Sequence, residues 1–131
     1  MDAKTKIISR LPLFEGCSRR ELRQVASLAD ELDVPTGTRL TAEGASAREF
    51  VVLVEGVADV TCDGELVNTL GPGDFLGEIS LVTGGRRTAT VTTRTPSKLL
   101  LLNAPAFRAL VERTPKMKQR VAATAALRLA G

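Results

Sequence analysis

A chain of 131 residues, 44% of them hydrophobic, has apolar mass for one ordinary core. It has no histidine and only two cysteines, Cys17 and Cys62, which excludes a His/Cys metal site, a Ser-His-Asp triad and a Cys-His pair. The net charge of +3 is unevenly spread: residues 1–81 carry fourteen acidic and eight basic side chains, residues 82–131 one acidic side chain, Glu112, and ten basic ones. A basic C-terminal half suits an anionic ligand or partner, or is the wet face of a helix bearing Lys116, Lys118, Arg120 and Arg128.

Along the chain, residues 4–10 read as a short helix stopped at Leu11-Pro12-Leu13-Phe14, because Pro12 pushes the preceding residue out of the helical region. Ser18 with Glu21 forms a capping box for a helix reaching about Glu31, with Leu22, Val25, Ala26, Ala29 and Leu32 on one face. The pattern then changes to short strands: 32–34, 38–41, 48–54, 57–62, 65–70, 87–93 and 98–102. Turn residues separate them, and Asp63-Gly64 between two alternating runs is a strong hairpin signal. Many short strands with frequent turns predict a mainly β fold, a small antiparallel barrel or jelly roll. Asn103 caps a helix over 104–113, and Thr114-Pro115 opens a second that runs to the chain end. The whole reads as one domain over 1–131: a helical lead-in (1–31), a barrel (32–102) and C-terminal helices (103–131).

The stretch Phe75-Leu76-Gly77-Glu78-Ile79-Ser80-Leu81-Val82-Thr83-Gly84-Gly85-Arg86-Arg87-Thr88-Ala89 organises the rest. A short helical pattern, 78–82, starts after glycine, and two arginines follow it. Free N–H groups of a helix start and a guanidinium fork together suit an anion, a phosphate above all. Glu78 adds an acceptor for a sugar hydroxyl. The same spacing also fits a Gly-rich turn with solvated arginines. No G-x-x-x-x-G-K-[ST] run occurs, and the glycines here do not form G-x-G-x-x-G.

Gly77-Glu78-Ile79-Ser80-Leu81-Val82, three further residues, then Arg86-Arg87-Thr88-Ala89 resembles the phosphate-binding cassette of the cyclic nucleotide-binding domain family, F-G-E followed by P-R-x-A. Two departures stand out: Leu76 lies between Phe75 and Gly77, and Arg86 replaces the proline. Pro35-Thr36-Gly37 with Leu40 and Glu43-Gly44, and the run 50–60, also resemble the family's barrel turns, and residues 11–28 its helical lead-in. The resemblance covers residues 11–129. It implies that Leu76, Gly77, Glu78, Ile79, Ser80, Arg86, Arg87, Thr88 and Ala89 surround a cyclic nucleotide. Glu78 takes the 2′-hydroxyl, and Arg87, two before Ala89, pairs with the cyclic phosphate. Thr88 bears on guanine against adenine preference. In the family the last helix closes over the base and pairs with its copy or a protein partner; Val121, Thr124 and Arg128 are the residues it offers here, in a stripe with Met117.

The expected function is thus a sensor module with cyclic AMP, or else cyclic GMP, as ligand, no cofactor, no catalysis, and a last helix that moves on binding. The alternative is a degenerate barrel that has lost the nucleotide and serves as a protein interaction module through its basic last helix. An imidazole-dependent jelly-roll enzyme is excluded by the missing histidines. With four Phe and no Trp or Tyr there is no stacking platform, and no helix-turn-helix spacing is visible, so no direct nucleic-acid contact is expected. The longest apolar runs, 50–54 and 99–102, are too short for a membrane span, and no signal peptide opens the chain. A cytoplasmic protein with buried thiols is expected. The chain is expected to be either a module that works alone or the sensor part of a longer protein, with Met1 and the missing linker after the last helix slightly favouring the first.

Overall fold

The computed structural model describes residues 1–45, 48–83 and 85–130, the side chains of 80, 82, 83 and 130 excepted. Helix α1 (Ala3–Ser9) starts at Asp2, whose carboxylate accepts from the Thr5 N–H at 2.7 Å. A 3₁₀ turn follows at Pro12–Phe14, burying Leu13 and Phe14. The capping box of α2 (Arg19–Leu28) is present in both directions: Ser18 Oγ accepts from Glu21 N–H at 3.1 Å, and Glu21 Oε1 from Ser18 N–H at 2.9 Å.

Helix α2 ends at Leu28, three residues short of the expected Glu31. Ala29 is already extended, and Asp30–Val34 forms β1, paired with the strand at 97–103. Leu32 therefore leaves the helical stripe; it faces Leu99 across the ladder and is 45% exposed. The ladder satisfies the backbone of 30–34 as completely as a further helical turn would, and it joins this segment to a strand the helix cannot reach.

The other strands are β2 (Arg39–Thr41), β3 (Glu49–Glu55), β4 (Ala58–Cys62), β5 (Glu65–Leu70), β6 (Phe75–Leu76), β7 (Thr90–Thr93) and β8 (Ser97–Asn103). They form two four-stranded antiparallel sheets, ordered β1-β8-β3-β6 and β2-β7-β4-β5. This is the expected antiparallel roll with flanking helices, though open: each sheet keeps its own edges and the two do not close into one barrel. The β4–β5 hairpin turns on Asp63 (φ 52°) and Gly64 (φ 80°), the left-handed pair that a two-residue type I′ turn requires.

Strands β3 and β8 are buried on both faces, which is why they read as continuous apolar runs rather than alternating ones. Phe50, Val52, Leu100 and Leu102 face the helices, in a core with Phe14, Leu22, Phe75, Phe107, Leu110, Met117 and Val121. Phe50 packs on Phe107 and Phe75 with ring centroids 4.6 and 5.3 Å away. Val51, Leu53 and Leu99 face the other way, and with Ala58, Leu70, Leu76 and Val91 fill the space between the sheets.

Helix α3 (Glu78–Thr83) follows β6, and α4 (Ala104–Arg113) is capped by Asn103 Oδ1, which accepts from Ala106 N–H at 2.8 Å. Helix α5 (Pro115–Ala130) is not held by packing alone. Lys116 Nζ donates to Gly16 O at 2.8 Å and Arg120 Nη1 to Leu13 O at 2.9 Å, fastening its first half to the N-terminal lead-in. These two residues and Arg128 are thus tethers, where the charge pattern alone reads as a wet face. Among the described residues, no helix is long and apolar enough to cross a membrane.

Candidate functional site

The site lies where β6 runs into α3. Phe75 and Leu76 pair with Val52 and Val51, a two-residue strand that the turn-rich sequence does not announce. Gly77 then takes φ 98°, a conformation that L side chains rarely adopt. A Cβ there would run into the Arg87 guanidinium and lie 2.7 Å from the Glu49 carbonyl oxygen. Gly77 is the gap through which Arg87 reaches the interior.

Strand β7 (Thr90–Thr93) begins three residues after the 87 that the β pattern predicts. The Arg87 backbone is held instead by the turn at 44–45: Gly44 N–H donates to Arg87 O at 2.9 Å, and Arg87 N–H to Ala45 O at 2.8 Å. This frees Arg87 from strand alternation and lets its side chain turn inward, 8% exposed. Its Nη2 donates to Glu49 O, while Nη1 is buried with no hydrogen-bond partner. Burial holds the Arg87 pKa below the ordinary arginine value, with the Glu49 and Glu78 carboxylates opposing it.

Glu78 is fully buried at the start of α3. Its Oε1 accepts from Arg128 Nη1 on α5 at 2.5 Å; its Oε2 is buried without a partner. Arg128 is bound twice more, donating from Nη2 to Phe75 O at 2.8 Å and standing over the Phe75 ring with Cζ 5.5 Å from the centroid.

A cavity of about 460 Å³ opens between these groups and the second sheet. Leu76, Gly77, Glu78, Ile79, Arg87, Thr88 and Ala89 line it, as does Arg128. Arg86 does not: it is exposed and its Nη1 donates to Gly44 O at 2.9 Å. The Ser80 side chain lies outside the described residues. Val121 sits in the helix-side core with Met117, and neither it nor Thr124 is part of the cavity wall. Sequence reasoning missed the opposite wall, Val60, Cys62, Val67, Asn68 and Leu70 from the β4–β5 hairpin. Only their alternation carried a signal, and that does not say what lies opposite. The cavity thus holds, on one side, a buried cation with a spare donor and a buried carboxylate with a spare acceptor, and on the other a mostly apolar wall. Such a pair is chemically suited to a ligand with an anionic group and a hydroxyl on one end and a flat apolar group on the other.

An open antiparallel roll whose short β6–α3 junction lines a cavity with a buried glutamate and arginine is the architecture of a small-ligand-binding domain. The sequence model of the cyclic nucleotide-binding domain matches residues 31–114, and the chain belongs to that family. A cyclic nucleotide-gated potassium channel of Rhizobium etli is 29% identical over 126 residues, covering 96% of this chain and 35% of the channel. The catabolite activator protein of Thermus thermophilus superposes with a TM-score of 0.78 at 27% identity, covering 91% of this chain and 58% of that one. A regulatory subunit of a cAMP-independent protein kinase A from Trypanosoma brucei shares the fold at TM-score 0.83 and 20% identity, covering 91% of this chain and 43% of that one. The chain thus spans about a third of the length of the channel it resembles.

Proposed function

We propose that the domain binds a purine 3′,5′-cyclic nucleotide, cyclic AMP ahead of cyclic GMP, and reports occupancy through α5. One observation carries this reading: Glu78 and Arg87 line the same cavity, and each keeps a buried polar atom without a partner, Oε2 and Nη1. Unpaired buried groups are expensive, and a ligand that pairs both removes the penalty. A ribose 2′-hydroxyl donates to Glu78 Oε2, and a cyclic phosphate oxygen accepts from Arg87 Nη1. Backbone N–H groups near Ser80 and Ala89 complete the cradle, and Leu76, Ile79 and Ala89 give it walls. The name of the cyclic nucleotide-gated channel relative agrees with such a ligand.

Signal output rests on Arg128. It joins the far end of α5 to the carboxylate that receives the ribose, so binding and the position of α5 are linked. The linkage is limited by the difference in ligand affinity between the two helix positions. The exposed Leu127 and Leu129 beside it, 75% and 63% accessible, offer that end of α5 to a second copy or a protein partner in the cytoplasm. No catalysis and no cofactor belong to this reading.

Titration calorimetry on ligand-stripped protein tests it with cyclic AMP, cyclic GMP, 5′-AMP and 2′-deoxy cyclic AMP. One-to-one binding of a cyclic nucleotide, with 5′-AMP and the deoxy compound weaker, is expected. No heat from any of the four on folded protein would leave an interaction module built on α5.

A further inference from the structure

Arg87 borders a second cavity, of about 210 Å³, besides the main one. Arg87 and Thr41 are the residues common to both, and they form the partition. The rest of the second cavity comes from β2 and from the chain that leads into β3. Successive residues of a regular strand point to opposite faces, yet Arg39, Leu40 and Thr41 all border it. The register of β2 against β7 slips between Arg39↔Thr92 and Thr41↔Val91, and such a slip re-aims the strand. Arg48 and Glu49 close the far side. The Arg48 backbone is fixed there, its O accepting from Ala104 N–H at the start of α4 at 2.9 Å.

The charge around this space points to its occupant. Three guanidiniums, those of Arg39, Arg48 and Arg87, border it against one carboxylate, Glu49, a formal +2. The side chains of Arg39 and Arg48 make no hydrogen bond or ion pair among the described residues. Exposed arginines often stay solvated, but the third one here is 8% exposed and keeps a buried Nη1 without a partner. Its fork carries five N–H donors, more than the Glu49 carbonyl and one phosphate oxygen use. Guanidinium forks match the spacing of phosphate and sulfate oxygens. At 210 Å³ against 460 Å³, the space suits a free oxyanion and not a nucleotide. We propose that it is a second anion site, for inorganic phosphate or an ion of like charge and shape. Its occupant opposes binding in the main cavity, because both anions draw on the Arg87 guanidinium and repel each other across it. The site stands on its own residues; the opposition rests on the cyclic nucleotide reading above. Each anion then weakens the other by the same factor.

Calorimetry tests this by following cyclic AMP affinity as inorganic phosphate is raised at constant ionic strength. The unmodified protein is compared with a double variant, Arg39→Gln with Arg48→Gln. Both residues are exposed and neither borders the main cavity, and matching thermal melts check that the variant folds. In the unmodified protein, phosphate is expected to weaken cyclic AMP by about five- to tenfold and then level off as the second site fills. The double variant should keep the phosphate-free affinity within about threefold, since exposed charges are screened, and should lose the phosphate effect. Phosphate lodged in the main cavity would instead displace the nucleotide without limit, and equally in both proteins. That result, or no phosphate effect on the unmodified protein, overturns the proposal. If the unmodified protein binds no cyclic nucleotide, the sensor reading fails and the opposition with it. Broadening of the phosphate phosphorus resonance by the protein then decides the anion site: loss of broadening in the double variant supports it, and equal broadening in both proteins overturns it.

Discussion

Arg128 and Glu78, fifty positions apart, form an ion pair in which the carboxylate is 1% exposed and the guanidinium 30%. It fastens the last turns of the chain to the first residue of α3. The same guanidinium holds Phe75 O, so one side chain spans the β6–α3 junction.

Removing that cation leaves a buried carboxylate with a broken pair. Arg128→Ala should lower stability by about 1–3 kcal/mol, read by urea denaturation. Glu78→Gln in the same background should recover at least half of the loss, because a neutral amide needs no counter-charge. A double variant no more stable than Arg128→Ala alone would show that the pair contributes little.

Gly77→Ala meets both an unfavourable φ and an occupied space. Gly37→Ala is its control, since Gly37 has φ 83° with nothing within 4 Å of an added Cβ. Both variants carry the left-handed penalty of about 1–2 kcal/mol. Gly77→Ala should lose a further 1–3 kcal/mol, roughly, through the Arg87 and Glu49 clash. Equal melting temperatures for the two would mean that Arg87 moves aside freely.

The two adjacent arginines should behave differently. Arg87→Ala should weaken cyclic nucleotide binding by roughly 2–5 kcal/mol, whereas exposed Arg86→Ala should change it by less than about 0.5 kcal/mol. Arg87→Lys keeps the charge without the fork and should fall between wild type and Arg87→Ala. The lowered pKa of Arg87 adds a second expectation. A base whose folded pKa is depressed by burial is destabilising while charged, and arginine is charged at any working pH. Arg87→Met should therefore raise the melting temperature of the ligand-free protein while abolishing binding. Normal binding in Arg87→Ala and a loss in Arg86→Ala would move the phosphate contact to Arg86.

Cys62 lines the cavity, and Cys17 lies against the helix-side core. Burial raises the Cys62 thiol pKa, and the Glu43 and Asp63 carboxylates add to it. At pH 8 it should hold less thiolate than an ordinary cysteine, and its alkylation by iodoacetamide should be slower than in the urea-unfolded chain. Cyclic nucleotide should slow Cys62 further and leave Cys17 unchanged, read by peptide mass mapping. Equal protection of both thiols would point to global tightening in place of a ligand at Cys62.

Much of the architecture was legible because it is local. The Ser18–Glu21 capping box, the Asp63-Gly64 turn, the Asn103 cap and the strands at 65–70 and 98–102 are written in neighbouring residues, and the elements appear there. The misses are places where a distant partner decides. Residues 30–34 become a strand because β8 offers a ladder, and β6 exists because β3 offers one. Arg87 leaves the strand because the 44–45 turn takes its backbone. Among the expected contact residues, Arg86 and Val121 face elsewhere for the same kind of reason: one bonds Gly44, the other fills the core.

By itself, the sequence determined the fold class, the order of elements and the family, since periodicity, caps, turns and the cassette run are short-range or in chain order. It also determined what chemistry is unavailable, because residues that are missing cannot be supplied by folding. The tertiary structure alone decided which polar atoms are left unpaired at Glu78 and Arg87, that Arg128 reaches back to the cassette, and that Arg87 borders two cavities at once. Those outcomes depend on which distant groups compete for each donor and acceptor, and that competition is settled only when the sheets and helices have packed.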